Sequence, residues 1–151
     1  MRSFARLFMR RAHRRAEALV GNAPGGLPLC AHVSAALATD TPLSTIRDAA
    51  PAGALTPGET LRLLQRFGAE TKIIAGPAFA AFHDTHIARY GGEDFRALGI
   101  DLDEGIADTL GHVVYLEGDF LYDPRTRAWR RVRSVDRQRF DYVAIVLPAA
   151  A

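Results

Sequence analysis

The chain has 151 residues, 48% of them apolar and 24% charged, with a formal net charge of +2, which suits one globular domain with a core of its own. No apolar run approaches the roughly 18 to 20 residues that span a bilayer, and the single cysteine, Cys30, excludes an internal disulfide and fits a cytoplasmic protein, or an effector made there and exported. Charge is uneven: residues 1–20 hold six arginines against Glu17 and carry +5, leaving −3 for the remainder, so the body lacks the basic face that nucleic-acid binding requires.

Phe4, Leu7, Phe8, Ala12, Ala16 and Leu19 recur at helical spacing among those arginines and predict a basic amphipathic helix over residues 1–20. Such a helix can pack on the body with its arginines in water, dock a partner, touch an anionic membrane surface or serve as a transit segment. The GNAPGGLP stretch at 21–28 separates it from a body at 21–151. A helix is predicted to open at Cys30 and run to Ala38, and a second to begin with Pro42 at its first position. Thr56-Pro57-Gly58-Glu59 is a capping box, so a third helix runs from there to Gly68, with a strand at Thr71–Ala75 after it. Phe79, Phe82, His83, His86, Ile87 and Tyr90 mark a further helix. Glu93 to Gly111, with three glycines and several acids, reads as a lid or binding loop holding only short helical turns.

From His112 the pattern becomes extended. HVVYLE, FLYD, RAWRRV and YVAIVL, beginning at 112, 120, 127 and 142, read as strands of an antiparallel meander, with a polar connection before the last. The class is therefore α+β, with N-terminal helices packed on a C-terminal antiparallel sheet. If Gly118-Asp119 forms a two-residue hairpin loop, Glu117 pairs with Phe120, and His112, Val114 and Asp123 share one face. His112 and Asp123 are then diagonal neighbours at roughly 7–8 Å between backbones, within reach of an imidazole and a carboxylate. Asp123-Pro124 is also an ordinary turn signal. Free cysteine is ordinarily a core residue, but Cys30 in the first turn of a helix meets unpaired amides and the positive end of the dipole, both of which favour a thiolate.

The order of Gly/Pro-rich lead, helix opening at Cys30, TPGETLRLLQRFGAETKII and GHVVYLEGDFLYDP resembles the papain-like cysteine peptidases of the bacterial leader-peptidase, or bacteriocin-processing, type over about residues 20 to 147. The resemblance implies a papain-like fold, Cys30 as nucleophile, His112 as general base and Asp123 as the group that holds the imidazole. It also implies a peptide or protein substrate and no cofactor. Family members usually carry a glutamine about six residues before the cysteine; that place is Pro24 here, and Asn22 is the candidate oxyanion donor beside the Cys30 amide. Peptidase, glutamine deamidase and acyl transferase all remain open, as does a catalytically idle binding module.

A metal site is the remaining rival. His83 and His86 lie three apart on one helix, and Cys30 and His32 add two soft donors. Asp101, Asp103 and Glu104 lack the alternation of a calcium loop and read as solvated acids. Trp129 among Arg127, Arg130 and Arg131 reads as a strand residue covering one sheet face. No phosphate-cradling glycine loop is present, so no nucleotide cofactor is expected.

Overall fold

The computed structural model describes residues 2–21, 29–50, 53, 55–90, 95–102 and 112–147. Among these it contains the helices α1 (Arg2–Val20), α2 (Cys30–Thr39), α3 (Leu43–Ala49), α4 (Pro57–Arg66), α5 (Gly76–Tyr90) and α6 (Ser134–Arg139). The strands are β1 (Thr71–Ala75), β2 (Arg96–Asp101), β3 (His112–Glu117), β4 (Phe120–Asp123), β5 (Ala128–Arg131) and β6 (Tyr142–Val146). They form one antiparallel sheet in the order β1-β6-β2-β3-β4-β5. No helix of the described residues is long and apolar enough to cross a membrane.

The α+β class holds, with three corrections to the expected layout. The segment expected as a loop contributes β2, a central strand paired with both β3 and β6. Its Gly99 masks the strand pattern and has a packing reason: a Cβ there would lie 2.5 Å from the Phe140 ring, so the ring rests on bare backbone. The polar connection contains α6. Arg130 grips the buried Asp136 with both guanidinium nitrogens, at 2.5 and 2.6 Å. Burial pushes the Asp136 carboxyl up, but Arg130 and the Arg133 amide outweigh it and hold it down at about 2. Finally, β6 does not continue a meander after β5 but inserts between β1 and β2. The boundary at Pro42 also moves by one residue, because Pro42 is the N-cap of α3 rather than its first residue.

Helices cover both faces. On one, α2 lies over β3, and every residue from Ala31 to Ala38 is buried, as expected of a helix with no charged side. Leu37, Ile46, Leu64, Leu98 and Tyr115 fill this core, and Ala12, Ala16 and Val20 of α1 join it. On the other face Phe79 of α5 packs with Phe95, Leu116, Phe140 and Val143. The capping box of α4 is present in both directions, Thr56 with Glu59. Trp129 is buried against Tyr122 and Tyr115, as its strand position implies.

The arginines of α1 are not all in water. Arg15 donates through Nε to Asp40 at 2.5 Å, through Nη1 to Glu117 at 2.6 Å, and also to the Leu37 carbonyl. Glu117 further accepts from Tyr115 Oη at 2.7 Å, and Arg96 reaches Asp40 at 2.8 Å. Burial opposes the Arg15 charge, but Tyr115, Glu117 and Asp40 overcome it and keep the guanidinium protonated. The result is a latch tying α1 and the end of α2 to the sheet. Glu117 is 7% exposed, so Glu117→Ala leaves the buried Tyr115 hydroxyl without its acceptor and the part-buried Arg15 with only Asp40 and the Leu37 carbonyl, and is expected to cost about 2–4 kcal/mol. Asp40 has a half-exposed side chain, so Asp40→Ala should cost about 1 kcal/mol or less. Urea unfolding of the two variants checks the ratio, and equal losses would remove Glu117 from the centre of the latch.

Candidate functional site

The β3–β4 hairpin has the register that its two-residue loop dictates. Tyr115 pairs with Tyr122, Leu116 with Leu121 and Glu117 with Phe120, while Gly118 takes φ +59 at the turn. Continuing that register puts His112 and Asp123 on one face, and there His112 Nε2 donates to Asp123 Oδ1 at 2.5 Å. Both side chains are mostly buried, at 12% and 21% exposure. Asp123 Oδ1 also accepts the Arg125 amide at 2.9 Å, and its carbonyl accepts the Arg127 amide at 2.8 Å. The turn and the imidazole contact are thus made by the same residue, and the ordinary turn explanation coexists with the functional one.

Burial lowers the His112 pKa from its ordinary 6.5; the bond to Asp123 and its charge oppose this, Arg125 adds to the fall, and Asp101 opposes it. At neutral pH the ring is therefore uncharged. With Nε2–H given to the carboxylate, Nδ1 keeps a lone pair and is the basic nitrogen.

Cys30 is the first residue of α2, half-buried and packed against the core. Leu29 at the N-cap supplies no side-chain acceptor, so the first-turn amides point at whatever lies in front of the helix. One turn further on, Ser34 Oγ donates to the Val113 carbonyl at 3.4 Å, while the far end of α2 meets Arg96 through Ala38, whose strand partner is Glu117. The helix therefore runs along β3 with its Cys30 end toward His112. Val113 and Tyr115 face α2, whereas Val114 and Leu116 belong to the opposite core. By alternation His112 goes with Val114, so the way from thiol to imidazole runs around the beginning of β3 and not through the sheet. Among the described residues no hydrogen bond joins Cys30 to His112.

The other candidates divide. Asn22 and Pro24, like Asp103 and Glu104, lie outside the described residues. Asp101, read from sequence as a solvated acid, stands directly opposite His112 in the β2–β3 ladder; the hidden strand around Gly99 is why its position was missed. His83 is buried, with Nε2 at 2.9 Å from the Gly118 carbonyl, so this nitrogen is a donor to the hairpin turn and not a ligand. No cluster of three or more possible metal ligands occurs among the described residues. No protein-family model matches the chain, and no curated protein sequence matches it.

Proposed function

We propose that the chain is a cysteine-dependent amide hydrolase or acyl transferase of papain-like architecture, with Cys30 as nucleophile, His112 as base and Asp123 as the residue that orients it. The reading is carried by the His112–Asp123 pair, which holds the imidazole through Nε2 and leaves Nδ1 as the basic nitrogen, the arrangement a thiol nucleophile needs in its base. The start of α2 lies at the same end of the sheet as His112 but over the other face, so thiol and imidazole can meet only around the beginning of β3. In this reaction the Cys30 sulfur attacks an amide carbonyl while its proton passes to His112 Nδ1. The amide C–N bond then breaks as the imidazolium returns that proton to the departing amine, leaving a thioester. Water attacks next, giving its proton to Nδ1, and the acid departs as the thiol is restored; an acceptor amine in place of water makes the same site a transferase. The Cys30 amide is a backbone donor suited to the oxyanion.

The test is the rate of Cys30 alkylation by iodoacetamide at pH 6, in the parent and in His112→Ala. A paired thiol reacts rapidly, and the variant is expected to be at least about tenfold slower. Equal, slow rates in both proteins would end the catalytic reading. They would favour an idle papain-like binding module, the alternative to which Pro24 and the lack of a Cys30–His112 hydrogen bond already point.

A further inference from the structure

Beside α1 lies an open groove of about 560 Å³ lined by Arg6, Met9, Arg10, Phe120 and Arg131, a size typical of ligand clefts. Its floor is apolar, from Met9 and Phe120, and its rim is cationic. Arg131 lies over the Phe120 ring at 5.4 Å and reaches Asp119 at 3.3 Å, so that guanidinium is partly neutralised. Arg6 and Arg10 are exposed and make no ion pair among the described residues. The helix carries no acid before Glu17, which is taken by His13. Arg14 is exposed as well, while Arg11 lines a separate pocket with Leu7, Arg15 and Glu117. Two uncompensated guanidiniums and a third nearby, above an apolar strip, are complementary to a chain that alternates carboxylates with apolar side chains.

We infer that this groove between α1 and the β4–β5 edge of the sheet is a docking site for an extended acidic peptide segment of a partner protein. Two other anionic partners fit less well. Insertion into a membrane needs a free apolar helix face, but Ala12, Ala16 and Val20 are buried in the core and Phe8 stacks on Phe120 at 4.6 Å. Single-stranded nucleic acid needs aromatic faces for its bases, but Phe8, Phe120 and Trp129 are engaged with one another and with Tyr122. The docking site does not depend on Cys30 being a nucleophile. If it is, the groove lies toward the Phe120 end of β4, away from Asp123, and acts as an anchoring subsite remote from the bond that breaks.

The experiment is fluorescence anisotropy of an end-labelled decapeptide alternating aspartate with leucine, titrated with the full chain and, in parallel, with its Cys30→Ala variant. The expected result is saturable binding to both, weakened at least tenfold by Arg10→Glu or by Arg6→Glu, and weakened by less than twofold by Arg139→Glu, a control on α6 outside the groove. Replacing every aspartate of the peptide by asparagine should weaken binding at least tenfold. Circular dichroism of each variant separates loss of the site from loss of the fold. Binding that is indifferent to Arg6 and Arg10, or equal for the asparagine peptide, overturns the inference. So does Arg10-dependent binding to phosphatidylserine vesicles or to an oligouridylate with none to the acidic peptide. Because Cys30→Ala keeps the groove, a failed alkylation test and a failed binding test are separate results.

Discussion

Gly76→Ala is expected to cost about 4 kcal/mol or more, enough to leave the chain largely unfolded at 37 °C, as measured by urea denaturation and yield of soluble protein. A Cβ at this position would lie 1.6 Å from the carbonyl oxygen of Phe140 and 2.7 Å from its carbonyl carbon. Both are backbone atoms, so no side-chain rotation relieves the clash. The contact is held from both sides, since Gly76 N donates to the Asp141 carbonyl at 2.9 Å and Phe79, less than one turn along α5, is fully buried. Moving α5 away to make room breaks that bond and opens the core beneath Phe79. Gly58→Ala is the matched control. It sits in the first turn of α4, where the nearest atom to a new Cβ is the flexible Arg62 Nη1 at 3.7 Å, and helix propensity should make it neutral or stabilising by up to about 1 kcal/mol. Similar losses at both positions would mean that α5 does not approach Phe140 this closely.

Asp123→Ala is the second large effect: under the proposed Cys30–His112–Asp123 chemistry it is expected to lower kcat/KM for an amide substrate by about 10³ to 10⁴, as loss of the orienting carboxylate does in Ser-His-Asp triads. The pH profile makes this more than a general loss. His112 is already held below 6.5 by burial, and Asp123 is one of the groups that oppose the fall. Removing it lowers the imidazole pKa further, so the acidic limb of the residual activity should move to lower pH, while a purely structural defect would leave the limb in place. The same linkage acts on stability. Well above pH 6.5 the folded and unfolded chains both hold a neutral imidazole; as pH falls through 6.5 the unfolded chain takes up the proton first, and this contribution to stability is lost progressively until the pH has fallen through the depressed folded value. Full activity in a folded Asp123→Ala protein would remove Asp123 from the mechanism.

Local rules made part of this structure readable in advance. Thr56 and Glu59 announce the start of α4 because a capping box needs only four adjacent residues, and Gly118-Asp119 sets the hairpin register because a two-residue loop allows one parity. That register is what brings His112 to Asp123. The start of α2 at Cys30 was legible for the same reason, since glycine and proline are poor helix formers and the sequence before Cys30 is rich in both. Long-range features were not legible. The strand around Gly99 lacks a side chain where Phe140 covers it, and that ring comes from 41 positions further on. Arg15 looks like one arginine among six until Glu117, over a hundred residues away, is folded against it. The insertion of β6 between β1 and β2 has no counterpart in local periodicity at all.

That insertion also separates the order in which the chain is made from the order in which it can be assembled. Thr71 and Arg96 both pair with the same distant residue, Val146, so neither β1 nor the β2–β3–β4–β5 ribbon can join the other until the chain has been made through β6. Until then α2, whose residues from Ala31 to Ala38 are all buried in the finished fold, has only part of its cover. Contacts this distant in sequence slow folding, because loop entropy is lost before the sheet closes. Nascent chains of this protein accordingly pass through a stage in which two unjoined halves expose bare strand edges, the condition in which growing polypeptides are most exposed to aggregation and most dependent on chaperones.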